Sequence, residues 1–254
     1  MRRVALKLEY DGRDFVGWQR QDVGTSVQGV LEQAARHLTL GAPVTCIAAG
    51  RTDSGVHAEG QVAHLDLPQK HTREAIRNAL NFHTRPHAVA VLDVADVPDD
   101  WSARFSALGR CYRYTINTRP ARLVLDHGRA WHVARLLDVT AMQHAARHLL
   151  GRHDFTSFRA SSCQAASPVR TLDRLAVTQH NETITVIAEA RSFLHHQVRN
   201  MVGTLKLVGD GKLPADAVRD ILAATDRKAA GPTAPSDGLV FTRVVYEPDP
   251  FVAS

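Results

Sequence analysis

The sequence predicts an α+β protein assembled from two tandem β-α-β-β-α-β halves, each an antiparallel sheet with its helices on one face. Three observations carry this. Apolar and polar residues alternate with period two in several segments of strand length. Between them lie segments with apolar residues at helical spacing, opened by Ser, Thr or Asp. The same order of elements occurs twice, and Pro98-Asp99-Asp100 breaks the pattern midway.

In the first half, Val4, Leu6, Leu8 and Tyr10 alternate with Ala5, Lys7 and Glu9, which reads as a half-buried strand ended by Asp11-Gly12. Phe15 to Gln21 forms a loop. Thr25 or Ser26 caps a helix whose apolar face is Val27, Val30, Leu31, Ala34, Ala35 and Leu38. Val44 to Ala49 and Gln61 to Leu67 are strands flanking a glycine-bounded loop. Thr72 starts a short helix with Ala75, Ile76, Ala79 and Leu80 inward, and Ala88 to Val94 is the next strand.

The second half repeats the order. Arg110 to Asn117 is a strand; Asp138 or Thr140 caps a helix carrying Val139, Met142, Ala146, Leu149 and Leu150, closed by Gly151. Leu172 to Gln179 and Thr183 to Ala190 are strands around the turn at Asn181. Leu194, Val198, Met201, Val202, Leu205 and Val208 make one helical face, stopped by Gly209 and Gly211. A further helix follows Pro214, and Leu239 to Tyr246 is the last strand. The repeat is topological, with no repeated sequence. It corresponds to two ferredoxin- or RRM-like units, residues 1–105 and 106–254, joined across the stretch from Val97 to Gly109. RRM modules use such a sheet as an RNA platform, but many unrelated functions share the topology.

Composition narrows the class. With 254 residues, 44% hydrophobic and 22% charged, the chain reads as a globular protein of one large or two ordinary domains. No apolar run reaches the roughly 20 residues of a membrane span, and the start lacks the apolar core of a signal peptide. Cys46, Cys111 and Cys163 are odd in number and lack C-x-x-C spacing. That points away from disulfides and a zinc site and towards a reducing, cytoplasmic setting. A net charge of +5 and a pI near 9.4 favour phosphate-bearing partners.

The most informative stretch is the loop Gly50-Arg51-Thr52-Asp53-Ser54-Gly55-Val56-His57. Glycines let such a loop approach a ligand closely, and polar clusters between strands are where site residues gather. Asp53 alone would read as a turn residue bonding its own backbone. Arg51 two positions earlier would favour its ionised form, and an ionised carboxylate can act as a nucleophile. Asp53-Ser54-Gly55 also matches the D-[ST]-G of aspartic hydrolases. Those enzymes need two such carboxylates sharing a proton, and the chain has no second copy. His144 and His148, four apart, lack the Glu of the metalloprotease motif. His195 and His196 would point about 100° apart on a helix, poorly placed as joint metal ligands.

The loop resembles the signature of the TruA-type tRNA pseudouridine synthases, G-R-T-D-A-G-V-H, with Ser54 in place of Ala. The likeness extends from Leu8-Glu9-Tyr10-Asp11-Gly12 and Gly17-Trp18-Gln19-Arg20-Gln21 through Ala103-Arg104-Phe105-Ser106-Ala107 and Tyr112-Arg113-Tyr114. It continues in Gly151-Arg152-His153-Asp154-Phe155, in Phe193 to Asn200, and in the segment ending at Leu239. This resemblance implies a cleft between the two halves, a homodimer, and conversion of uridines 38, 39 and 40 of the tRNA anticodon stem-loop to pseudouridine, with no metal and no cofactor. It implies Asp53 as nucleophile, Arg51 displacing the target nucleotide, and Arg199 pairing with the catalytic carboxylate. Tyr112 would stack on the uracil, and Leu239 would line its pocket; Phe241 replaces the second Leu of the family's G-L-x-L. Tyr114 reads better as an ordinary strand aromatic, and the Gly151 segment as structural support. A non-catalytic RNA-binding protein of the same fold is the alternative, which the joint presence of Asp53, Tyr112 and Arg199 disfavours.

Overall fold

A computed structural model describes residues 1–252. The described residues form two compact units, residues 1–110 with 241–252, and residues 111–240.

In the first unit the central strand is β1 (Arg2–Tyr10), flanked by β3 (His57–Leu67) and β4 (Val89–Asp96), all antiparallel. Val4, Ala5, Leu6 and Leu8 are wholly buried, as expected for a strand with neighbours on both sides. The helices α1 (Val27–Arg36) and α2 (Arg73–His83) begin where their caps predict. Ser26 accepts the amide of Gly29 at 3.2 Å and Thr72 that of Ala75 at 3.1 Å, satisfying donors a helix start leaves open.

The strand expected from Val44 to Ala49 shrinks to β2, Ile47–Ala48, paired with His64 and Ala63 of β3. The cause is α1. Glu32 accepts the amide of Cys46 at 3.0 Å and Gln28 donates to its carbonyl at 3.3 Å. With those backbone groups taken by side chains, ladder pairing begins one residue later. The last strand, β10 (Leu239–Val245), belongs to this unit from Phe241 onward and lies next to β3. At Gly60 a Cβ would stand 2.3 Å from the Thr242 carbonyl oxygen.

In the second unit the strands run in the order β5 (Gly109–Asn117), β9 (Thr183–Ala190), β8 (Val169–His180), β7 (Gly151–Asp154). A two-residue strand, β6 (Trp131–His132), pairs parallel to β5. The β8–β9 hairpin turns at Asn181, whose φ of 52° is a conformation Asn tolerates. Helix α3 (Val139–Arg147) starts at Asp138, which accepts the Ala141 amide at 2.9 Å, and packs on β8 and on α4 (Gln197–Gly209). Met142, Leu149, Phe155, Phe158, Met201, Val202 and Leu205 form the core beneath them. α5 (Ala217–Ala223) follows Pro214, whose carbonyl accepts the Ala217 amide in the preceding turn.

The start of α4 differs from expectation. His195 and His196 precede it, and His196 has a φ of 61°, outside the helical region. Gln197 turns back to accept the Leu194 amide at 2.8 Å, so the helix begins at residue 197. The two imidazoles are 4.0 Å apart, centroid to centroid. The 100° separation expected of helical neighbours therefore does not apply to them.

Candidate active site

Asp53 sits half-buried in the loop between β2 and β3. The loop has no regular structure of its own; its backbone is fixed by neighbours in the same unit. The Ala49 carbonyl accepts from Arg110 Nη2 at 2.8 Å and the Gly50 carbonyl from Gln61 Nε2 at 2.8 Å. Thr52 is gripped twice: its carbonyl accepts the Trp18 amide at 3.0 Å, and its hydroxyl bonds Tyr10 Oη at 2.8 Å. The Gly55 amide and the Ser54 hydroxyl both donate to the Phe15 carbonyl, at 3.3 and 3.2 Å. The Val56 amide closes a turn onto the Asp53 carbonyl at 3.2 Å.

Two glycines allow this close packing. A Cβ at Gly12 would meet the Val56 carbonyl oxygen at 2.1 Å, and one at Gly17, whose φ is 113°, the Thr52 carbonyl oxygen at 2.7 Å. Tyr10 and Gln61 are buried, and burial pushes the Tyr10 hydroxyl up to about 12, against the hydrogen bonds from Thr52 and Gln61. It is a neutral hydroxyl at any working pH, able to bond the Thr52 hydroxyl. His57 closes the far end of the loop, with Nδ1 accepting the Gly12 amide at 3.2 Å. Asp11 Oδ1 lies 3.2 Å from the same nitrogen, a contact that becomes an ion pair only on a protonated ring. Burial raises the Asp11 carboxyl, but the hydrogen bonds from Arg13 and the charges of His57 and Arg13 prevail and hold it at about 2.

Arg51 is exposed. An exposed arginine on the loop is open to a partner from solution.

The second unit holds the other sequence-derived residues. Tyr112 on β5 is buried, its ring edge-to-face with Phe193 at 5.2 Å. Tyr114 is fully buried and donates to the Pro235 carbonyl at 2.8 Å; burial raises its hydroxyl far above the ordinary value. It packs against Gly238, where a Cβ would lie 2.6 Å from the ring, and so shapes the turn before β10. Leu239 is buried directly after that turn, its amide bonded to the Ser236 carbonyl at 2.8 Å. Phe241 lies in the first unit, fully buried, 4.0 Å from where a Cβ on Gly50 would stand.

Arg199, half-buried near the start of α4, donates from Nε to the Ala234 carbonyl at 2.8 Å, and its own carbonyl accepts the Ala234 amide at 3.1 Å. The next residue anchors the whole segment. Buried Asn200 donates to the Phe158 carbonyl at 2.8 Å and accepts from Thr233 at 2.7 Å and Arg227 at 3.1 Å. At Gly203 a Cβ would collide with the Pro232 carbonyl at 1.7 Å, so the 231–235 segment lies directly on the helix backbone.

Also in this unit, His144, His148 and Asp216 bring their ligand atoms within 4.8 Å of one another. A hydrogen bond of 3.1 Å between His148 and Asp216 accounts for that meeting. The supports Tyr10, Gly12, Gly17, Gln61 and Arg110 went unrecognised in the sequence as parts of the site. The D-G and G-W pairs at residues 11–12 and 17–18 are the only signals that point to them.

A family model described as tRNA pseudouridine synthase matches residues 7–106 and 145–247. The chain is 64% identical over 252 residues to a protein of Acidiphilium cryptum named tRNA pseudouridine synthase A, covering 99% of both chains. Proteins of the same name from Paramagnetospirillum magneticum and Gluconobacter oxydans are 58% and 53% identical. They cover 97% and 99% of this chain, and 96% and 92% of their own lengths. With a family model matched over most of its length and relatives matched end to end, this chain belongs to the tRNA pseudouridine synthase family.

Proposed function

We propose that this chain converts uridines 38, 39 and 40 of the tRNA anticodon stem-loop to pseudouridine, with Asp53 as the nucleophile. What carries the reading is the half-buried Asp53 carboxylate on a loop whose backbone is held on both sides by hydrogen bonds. The names of the end-to-end relatives support tRNA as substrate and uridine isomerisation as the reaction.

The reaction is an isomerisation. The C1′–N1 bond breaks, the uracil turns, C5 bonds to C1′, and the hydrogen at C5 is replaced while N1 gains one. Nothing is oxidised and no group leaves for a second molecule. A carboxylate can attack C1′, attack C6, or take a proton from the ribose, and Asp53 could serve each route. A base paired in a stem must first be extruded, at about a few kcal/mol. Exposed Arg51 has the reach and the charge to occupy the vacated space and bond phosphate. Tyr112, its ring held by Phe193, is the base-stacking residue; Leu239 is an apolar wall of the uracil site. Arg199 is the fixed cation of the site, oriented by its Nε bond to Ala234. The nucleophile loop is the contribution of residues 1–105, the stacking Tyr and the Arg that of residues 106–254. The working form is a cytoplasmic homodimer.

The test uses tRNA transcript tritiated at uridine C5, because forming the C5–C1′ bond releases that label to water. Asp53→Ala should lower turnover by at least about 10⁴-fold while the Kd for tRNA stays within a few-fold of the parent. Substantial label release by the variant would remove Asp53 from the reaction. Mapping of the modified positions decides between 38–40 and other sites.

A further inference from the structure

We propose that the second unit carries a subsite for a backbone phosphate of RNA, built from Arg152, Arg170 and Arg191. It rests on the reading of tRNA as substrate and names one place where the chain grips it. The three arginines line a single cavity of about 310 Å³, with the hydroxyls of Ser167, Thr171 and Ser192 around them. Strand pairing sets them near one end of the sheet, Arg152 on the face of Thr171 and Arg170 on the other face, bordering the cavity from the strand's end. On β7 and β8, Arg152 stands opposite Thr171 and His153 opposite Arg170. Arg191 and Ser192 directly follow Ala190, the last residue of β9, which pairs with Leu172 of β8. Three separate segments thus each bring an arginine to one end of the sheet.

The lining selects an anion. A guanidinium stays charged at any pH a protein meets, and no lining residue is acidic. Like charges gathered in a concavity repel one another, and an entering anion relieves that cost. Arg170 is anchored, Nη1 donating to the carbonyls of Ser167 at 2.9 Å and Val169 at 2.6 Å, while its Nε is buried with no hydrogen-bond partner. A buried donor without an acceptor is uncommon and calls for one; a phosphate oxygen is suited to it. Arg152 is exposed, and its side chain makes no hydrogen bond or ion pair with any described residue.

The cavity is at the small end of the roughly 300–1,000 Å³ span of ligand sites. No aromatic side chain lines it, so it offers no platform for a stacked base. It is built to hold backbone phosphate, which positions an RNA without reading its sequence.

Binding of a tRNA transcript to the full chain, measured between about 50 and 200 mM salt, tests this. Arg152→Ala should weaken binding about three- to tenfold at the lowest salt. The slope of log K against log salt should flatten by about 0.7–0.9, one phosphate contact. Arg152→Lys, which keeps the charge, should retain most of the slope, and Arg152→Gln, which keeps a long side chain without the charge, should behave like Ala. Parent affinity and slope in both neutral variants would overturn the proposal. Inorganic phosphate separates the sources of the anion. If phosphate raises the parent's Tm, Arg152→Ala abolishes that rise, and tRNA binding ignores the substitution, the site serves a free anion and the RNA subsite is refuted. Pseudouridine formation by the parent is followed alongside. Its absence would count against the proposed activity, whereas the salt slope alone judges the subsite.

Discussion

Gly12→Ala should damage turnover far more than its single methyl group implies. The added Cβ would stand 2.1 Å from the Val56 carbonyl oxygen, 2.5 Å from the Val56 carbonyl carbon and 2.8 Å from that of Gly55, all backbone. Ordinary contact begins at 3.4 Å, so one side must yield by about 1.3 Å. The turn carrying Gly12 has little room to retreat. It continues β1, which is paired on both edges, and the Asp11 amide is bonded to the Ala88 carbonyl at 3.1 Å. The loop moves instead, and it carries Asp53 with it through the Val56-to-Asp53 bond. A displacement near 1 Å at a reacting group costs about 10²-fold in rate, close to 2.7 kcal/mol of barrier. Overpacking of this kind costs about 1–3 kcal/mol of stability, a Tm loss of about 2–4 °C for each kcal/mol in a chain of this size. Tritium release gives kcat, thermal unfolding the stability, and filter binding the tRNA affinity. A variant with parent-like kcat, whatever its Tm, would refute the idea that this glycine positions the loop of Asp53.

Tyr10→Phe leaves the buried Thr52 hydroxyl without its partner at 2.8 Å; we expect a loss of about 1–2 kcal/mol in stability and a few-fold drop in kcat, read by the same two assays. Asp11→Asn tests the electrostatics at the other end of the loop. The folded carboxyl lies near 2, below its ordinary value of 3.8. Its contribution is therefore complete above the unfolded value and fades as pH falls through the folded one. The Tm difference between parent and Asp11→Asn should be constant above about pH 5 and shrink between pH 4 and 2; a difference independent of pH would show that the charge is not what stabilises the folded state.

Much of the secondary structure was legible because it is decided locally. β9 spans Thr183–Ala190 as expected, and Ser26, Thr72 and Asp138 cap their helices because each side-chain oxygen needs only an amide three residues on. What the sequence hid depends on partners distant along the chain. β2 is short because α1 side chains occupy the backbone of Cys46. α4 starts late because Gln197 caps back onto Leu194. The first unit acquires a strand from the far end of the chain, which no local period reveals. At the site, the loop motif singled out Asp53 and Arg51 by local pattern, whereas Tyr10, Gln61 and Arg110 reach the loop from up to 61 positions away, which no local pattern reveals.

The loop's hydrogen bonds also bear on where damage should appear first. Ordering each loop residue costs about 1–2 kcal/mol of backbone entropy, and each intramolecular hydrogen bond returns only about 0.5–1.5 kcal/mol net. Bonds at Ala49, Gly50, Thr52, Asp53 and Gly55 therefore come close to cancelling the cost of holding those residues, with little surplus for global stability. Stability resides instead in the strands and helices, where side chains such as Leu6, Leu8, Ile76, Leu80 and Met201 are wholly enclosed. The backing of the loop thus confers position rather than strength. Substitutions in it should register in kcat before they register in Tm, while truncations of core residues such as Leu6 or Met201 should do the reverse.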